Sequence, residues 1–282
     1  MSNNKIFHSI KTIEYEGDID KVFETDGAFA VIKETTQESL FNYVALKNIE
    51  NQKQLIKDFL TADTFLKQHK KKPMLLAPYY DDSKTIIDNL IEKNFFSLDY
   101  FESVLLFTEK SFLEKSFEID KNIIFELATD PEKYAQAVCD NFNSLITKDD
   151  LYGGLEEEYI PGIIQSFKNT HEVAHLHFQA VDNNKIISTM SITIDNKNKI
   201  AGLANASTHG DYRGKRISSK LLQIAIQEAY KLGAEDVFFY SEQGNSSEKA
   251  YQKSGFEIKF KLAMLKPNYK KINQYFPTTK KR

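Results

Sequence analysis

Hydrophobic positions in the C-terminal half of the chain repeat with two clear periods. Between 218 and 232 the apolar residues Leu221, Leu222, Ala225, Ile226, Ala229 and Leu232 fall at i, i+3, i+4 spacing. That is the stripe of a helix lying on a sheet. Gly233 ends it, since glycine takes the left-handed conformation of a helix C-cap freely. Runs of β-branched and aromatic residues predict strands over 122–129, 175–181, 186–194, 200–208, 236–241 and 256–265. Asp182-Asn183-Asn184-Lys185 reads as a hairpin-type turn between two of them. Asp130-Pro131-Glu132 reads as an N-cap with proline at the first helical position, opening a helix to about Ile146. A second helix is expected over 156–168, weakened by Pro161 and Gly162. A short helix is expected from 246 or 247 to 254, ended by Gly255. The order β-α-α-β-β-β-α-β-α-β mixes antiparallel hairpins with one β-α-β crossover. The expected class is therefore α+β, with a mixed, mostly antiparallel sheet flanked by helices.

The N-terminal half is patterned less sharply. A helix over 55–68 and strands over 73–78 and 101–107 are its clearest elements, and 116–121 is the expected seam between halves.

Length and composition narrow the classes. With 282 residues, 41% of them hydrophobic, the chain suits one large domain or two ordinary ones. A net charge of -3 argues against a nucleic-acid binder. No apolar run is long enough for a membrane helix, and residues 1–8 lack a secretion signal's apolar core, so a cytoplasmic location is expected. Cys139, the single cysteine, sits in an apolar-periodic stretch and is expected to be a buried, inert thiol. His175 and His177 share one strand face with His171 nearby, but no cysteine or acid completes a ligand set, so no metal is expected.

Charge type is more informative than charge sum. Of the chain's three arginines, Arg213 and Arg216 stand five and two positions before the start of the 218–232 helix, and the third is Arg282. A cationic, Gly-containing turn at a helix start offers free backbone N–H groups, a positive dipole end and bidentate guanidinium donors. Those groups suit a pyrophosphate; a solvated basic turn is the plainer alternative.

The order of elements, with this turn after the fourth strand, resembles the GCN5-related N-acetyltransferase (GNAT) family. Tyr212-Arg213-Gly214-Lys215-Arg216-Ile217-Ser218 resembles that family's pyrophosphate loop, usually Arg/Gln-x-x-Gly-x-Gly/Ala. Asn245 with Ala250-Tyr251-Gln252-Lys253-Ser254-Gly255-Phe256 resembles its second signature, Asn…Leu-Tyr-x-Lys-x-Gly-Phe. The likeness covers roughly 121–268. Arg216 replaces the central glycine, Ser218 replaces the second small residue, and Asn245 lies one residue closer to Tyr251 than usual. At Arg216 either a positive φ or a helical conformation would serve; helical geometry, adding a cation to the phosphates, is the expectation. Residues 90–96 echo 250–256, with Ile91 at the tyrosine position and no Gly-basic turn before the 55–68 helix. The resemblance thus implies two tandem GNAT-like domains: 1–115, degenerate and without a cofactor site, and 121–268, the acetyltransferase. Residues 269–282 would form a basic tail. Chance similarity between independently packed helices is the alternative for the first half.

What the resemblance implies chemically is an N-acyltransferase that moves an acetyl group from acetyl-CoA to an amine. Arg213, Gly214, Lys215, Arg216, Ile217, Ser218 and Ser219 would hold the pyrophosphate. The backbone of Ala206, Ser207 and Thr208, with that of Tyr240 and Ser241, would pair with the pantetheine amides. An N–H of the strand ending at Thr208 would polarise the thioester carbonyl. Tyr251 would serve the leaving thiolate as acid, unless it is a packed aromatic; Asn245 would bond coenzyme A or cap its helix. Glu242 ranks ahead of His209 and Glu172 as the base. The acceptor would be a small-molecule or peptide amine, with Tyr152, Glu156, Glu157, Glu158 and Tyr159 either an attracting cluster or a solvated helix start. Neither nucleic acid nor membrane is an expected partner, and a homodimer stays open. The alternatives are a non-catalytic coenzyme A sensor or scaffold, and a tandem-repeat transferase using another acyl or aminoacyl donor.

Overall fold

The computed structural model describes residues 20–34, 42–47, 49, 51–144, 157–168 and 173–276. In chain order its elements begin with β1 (Lys21–Glu24), β2 (Ala28–Ile32), β3 (Tyr43–Leu46), α1 (Gln52–Gln68) and β4 (Leu75–Tyr79). They continue with α2 (Asp81–Glu92), β5 (Phe96–Phe107), β6 (Ile124–Leu127), α3 (Pro131–Asn143) and α4 (Ile160–Gln165). Then come β7 (Val173–Asp182), β8 (Lys185–Asp195), β9 (Ile200–Thr208), α5 (Ile217–Lys231) and β10 (Asp236–Glu242). The last are α6 (Ser246–Lys253), β11 (Phe256–Pro267) and α7 (Tyr269–Tyr275). The expected α+β class, with a mostly antiparallel sheet flanked by helices, is what the molecule shows.

The chain forms two compact units. The first is built from Ile19–Val104, Tyr240–Lys249 and Ile258–Arg282; the second from Leu105–Phe239 and Ala250–Glu257. In the first unit the strands run in the order β1-β2-β3-β4-β11-β5. Strand β11 lies antiparallel to β4, with Leu262 opposite Pro78 and Leu265 opposite Leu75. Ala263, Leu265 and Ile272 join Leu55, Ile56, Phe59, Ile87 and Phe96 in one buried core. Residues 258–276 thus complete the first unit, although they follow the second in sequence. The last turn differs from the expected basic tail. Asn268 caps α7 by accepting from Lys271 N–H, Ile272 is fully buried, and the Tyr269 hydroxyl donates to Asp63 at 2.8 Å. An apolar pair three residues apart is enough to dock one short helix. Residues 277–282 lie outside the described residues.

The second unit has the strand order β10-β9-β8-β7-β6. The β7–β8 turn places Asn183 and Asn184 at φ 48° and 64°, the paired left-handed geometry of a tight hairpin. Helix α5 lays Ile217, Leu221, Leu222, Ala225, Ile226 and Ala229 against Ile192, Ile194, Ala201 and Leu203. Asp130 caps α3 by accepting from Lys133 N–H at 3.1 Å. The helix expected over 156–168 is reduced to a 3-10 turn (Glu157–Tyr159) and six residues of α4. Pro161 lacks an N–H and fits only the first turn, so the helix starts there. Tyr152, Glu156, His171 and Glu172 lie outside the described residues.

Candidate functional site

Strand β9 hands the chain to a basic turn that is pinned on several sides. The Tyr212 hydroxyl donates to Asp182 at 2.7 Å, and Gly210 N–H donates to the Ser144 hydroxyl at 2.8 Å. Arg213 Nε donates to the Thr208 carbonyl at 3.1 Å. Lys215 Nζ sits 4.8 Å from the Tyr212 ring centroid. Gly214 follows at φ 77°, which glycine adopts without a Cβ penalty.

Arg216 then departs from expectation. Its φ of 64° and ψ of 8° are left-handed, not helical. The turn has to reverse into α5 within one residue, and that demand overrides the side chain's preference. A non-glycine residue there costs roughly 1–2 kcal/mol. No side-chain cap bond closes the helix start. The first intrahelical bond runs from Lys220 N–H to the Arg216 carbonyl at 3.0 Å, so the N–H groups of Ile217, Ser218 and Ser219 precede the ladder. This is the arrangement that binds oxyanions.

Arg216, Ser218 and Ser219 open onto a cleft of about 820 Å³ within the second unit, lined also by Lys115, Lys253 and Tyr251. Three cations, Lys115, Arg216 and Lys253, face one acid, Glu118, giving the cleft a positive field. Gly214 and Lys215 line a neighbouring cleft of about 320 Å³, which Arg216 shares. The expected loop residues are therefore brought together, except that Arg213 turns back to β9.

Tyr251 is 6% exposed and stacks on Phe239 at 3.8 Å, with Phe256 edge-on at 5.2 Å. Burial pushes its phenol pKa well above the usual value. Among the described residues its hydroxyl has no hydrogen-bond partner. A buried hydroxyl left unsatisfied costs about 1–3 kcal/mol, so its place in a polyanion-suited cleft points to a ligand atom. Gly255 anchors the turn beneath it. Its φ is 87°, a Cβ there would come within 2.7 Å of Glu109 Cβ, and its carbonyl accepts from Thr108 and Glu109 N–H.

Strands β9 and β10 pair in parallel only at Ile200–Asp236, Ala201–Val237 and Gly202–Phe238. The rest of β9, including Ala206, Ser207 and Thr208, has no register partner on β10. Opposite Met190 of β8, β9 carries two residues, Asn205 and Ala206, in a bulge with Asn205 at φ 50°. Hydroxyls of β8 hold this stretch: Ser188 donates to the Ser207 carbonyl at 2.7 Å and Thr189 to the Asn205 carbonyl at 2.9 Å.

In the first unit, Asn245 is the cap of α6. Its Oδ1 accepts from Glu248 N–H at 2.8 Å and from the Ser241 hydroxyl at 2.9 Å. Glu242 is half-buried, and burial together with the Asp99 carboxylate raises its pKa. His209 lies 3.1 Å from Lys185 Nζ. Cys139 is buried, and desolvation raises its thiol pKa. His175 and His177 share one buried face, bonded to Thr193 and Ser191.

The sequence reading assigned no role to Lys115, at the end of the expected first domain, or to Ser116 and Phe117, which fell in the expected seam. Gln223, 3% exposed on α5, holds that segment: its amide nitrogen lies 3.2, 2.7 and 3.1 Å from the carbonyls of Phe112, Leu113 and Lys115. The only signal was a glutamine beside an apolar stripe. Lys253 stood inside the second motif without a role assigned to it.

No curated protein sequence matches the chain. Residues 140–256 match the model of the acetyltransferase (GNAT) family. A GCN5-related N-acetyltransferase from Kribbella flavida superposes with a TM-score of 0.67 at 10% identity, covering 95% of this chain and 96% of that one. One from Sphaerobacter thermophilus gives 0.60 at 13% identity, covering 91% and 84%. A tandem GNAT protein from the clavulanic acid biosynthesis pathway gives 0.57 at 10% identity, covering 94% and 87%. At such identities the likeness is one of fold. Among the described residues no helix is long and apolar enough to cross a membrane. Residues 140–256 thus match the acetyltransferase (GNAT) family model, and almost the whole chain resembles in fold solved GNAT proteins, a tandem one among them.

Proposed function

We propose that the protein transfers an acetyl group from acetyl-CoA to an amine. The observation that carries this reading is one cleft that joins an uncapped, cationic helix start to a buried, partnerless tyrosine hydroxyl. The N–H groups of Ile217, Ser218 and Ser219, with Arg216, would take the pyrophosphate of coenzyme A. The stretch Ala206-Ser207-Thr208 of β9, which has no register partner on β10, offers backbone groups on that side to the pantetheine amides. We keep Arg213, Gly214 and Lys215 as supporting cations and turn-formers of the same loop, and Asn245 as the cap that orients α6.

In the reaction the amine nitrogen attacks the thioester carbon, the C–S bond breaks, and an amide and a thiolate result. A backbone N–H of β9 would hold the developing oxyanion. The Tyr251 hydroxyl would donate its unused hydrogen bond to the thiolate, which then takes up one proton. The amine must lose one proton, and we assign that proton to Glu242, whose raised pKa suits a base. The N-terminal region 1–115 would shape the acceptor side and hold no cofactor, and the protein acts as a soluble catalyst without a metal.

The test is thiol release from acetyl-CoA across a panel of small amines and peptide N-termini. Acceptor-dependent release supports the proposal. Coenzyme A binding without release from any acceptor would instead identify a sensor.

A further inference from the structure

Behind the β9 bulge runs a line of buried side chains whose hydrogen bonds have only one consistent direction. The Ser166 carbonyl can only accept, so His177 Nε2, 3.0 Å away, carries a proton. Burial lowers the His177 pKa to about 4, so the ring is neutral and Nδ1 is an acceptor. The Ser191 hydroxyl, 2.9 Å from Nδ1, must therefore donate to it. With its proton committed, Ser191 Oγ accepts from the Tyr134 hydroxyl at 2.9 Å and from Asn205 Nδ2 at 3.1 Å. Phe167 stacks on the His177 ring at 3.8 Å and Tyr134 meets it edge-on at 5.1 Å, which fixes the ring plane. His177 is 5% and Ser191 3% exposed.

The line starts just past α4, crosses β7 and β8, and ends on the side chain of Asn205. That residue is the left-handed member of the bulge, and its carbonyl is held independently by Thr189. Left-handed asparagine is tolerated but not preferred, so something has to hold it. We propose that His177 and Ser191 are positioning residues, which lock Asn205 in the left-handed bulge and so aim the backbone N–H groups of Asn205 and Ala206 at the acyl carbonyl. This rests on the acyl-transfer reading above. A buried network satisfied at every member can specify one geometry, whereas a partly satisfied one does not.

The test uses the full chain with three changes: Ser191→Ala, Ser191→Thr and Asn205→Gly. Ser191→Ala should speed amide hydrogen exchange at Asn205 and Ala206 at least ~10-fold, since the local hold is lost. It should lower kcat by about 10²–10³, the cost of a misplaced oxyanion donor, with the KM for acetyl-CoA within two-fold. Ser191→Thr keeps the hydroxyl and should restore both. In an Asn205→Gly background the tie is already cut, so Ser191→Ala should add no further effect on exchange or kcat. Unchanged exchange at the bulge in Ser191→Ala, or full additivity with Asn205→Gly, would overturn the proposal. Because exchange needs no turnover, it decides the positioning claim even if no acceptor releases thiol, an outcome that would count against the acyl-transfer reading alone.

Discussion

Both units contain a parallel β-α-β crossover, and they finish its helix start in opposite ways. In the first unit β3 and β4 pair at Val44–Leu75 and Ala45–Leu76 around α1. Asn51, extended at φ -158°, caps α1 with its own side chain, accepting from Gln54 N–H at 2.9 Å. In the second unit β9 and β10 pair at three positions around α5, whose first cap residue is the left-handed Arg216, with no side-chain bond. One helix caps its N-terminus with its own side chain; the other leaves it uncapped, as the proposed pyrophosphate site requires. The next segment repeats the contrast. Asn94 at φ 59° and Gly255 at φ 87° are left-handed residues just after their helices, one position out of step in the 90–96 and 250–256 echo; Ile91 packs against the first core, while Tyr251 lines the cleft with its hydroxyl buried. A backbone can be kept while side chains such as Asn51 and Ile91 close it off.

The largest expected effect tests Tyr251. Tyr251→Phe should lower kcat by ~10²–10⁴, the range for general acid catalysis, with acetyl-CoA affinity nearly unchanged. Stability should hold or rise slightly, because the lost hydroxyl has no partner to abandon. Wild-type turnover in that variant would reduce Tyr251 to packing and erase its contrast with Ile91.

Acid sensitivity should belong to the second unit. His175 and His177 have pKa values lowered by burial from 6.5 to about 4. The unfolded chain therefore binds more protons between these values, so stability is full above pH 6.5 and falls as pH drops toward 4. The loss should be on the order of 3 kcal/mol per histidine. A denaturation midpoint that stays flat from pH 6.5 to 4 would contradict the buried, neutral state of this pair.

Arg216 separates conformation from charge. Arg216→Gly keeps the left-handed turn, removes the cation and should weaken coenzyme A binding by about 1.5–3 kcal/mol, the worth of a charged hydrogen bond. Unfolding stability should not fall, because glycine relieves the strain. Equal calorimetric affinity in this variant would make Arg216 a turn residue only.

Much of this contrast was legible in the sequence, for reasons that can be stated. Helix α5 and the strands β7 to β11 announced themselves by period, and Asp130 and Gly233 by cap chemistry. The Asn183–Asn184 turn did so by composition. Strands β1 to β3 did not, being four or five residues long; β2 and β3 are buried at every position and so have no alternation to read. The conformation of Arg216 was misread because the side chain suggested helix, whereas the closing turn dictated φ. Gln223 and the His177–Ser191–Asn205 line join residues far apart in sequence, and spacing does not reveal such pairs. The placement of 258–276 with the first unit, as partner of β4, is likewise a long-range fact.

A smaller effect is expected at the closed helix start. Asn51→Ala should cost ~1 kcal/mol of stability and leave coenzyme A affinity unchanged. Any loss of affinity there would mean that the first unit's helix start also serves the ligand.

The most direct measurement is a crystal structure of the full chain with coenzyme A. One molecule per chain is expected, its pyrophosphate at the N–H groups of Ile217, Ser218 and Ser219 beside Arg216 and its thiol toward the Tyr251 hydroxyl. A molecule bound at the Asn51 end of α1, or two molecules per chain, would contradict the division between an open and a closed helix start.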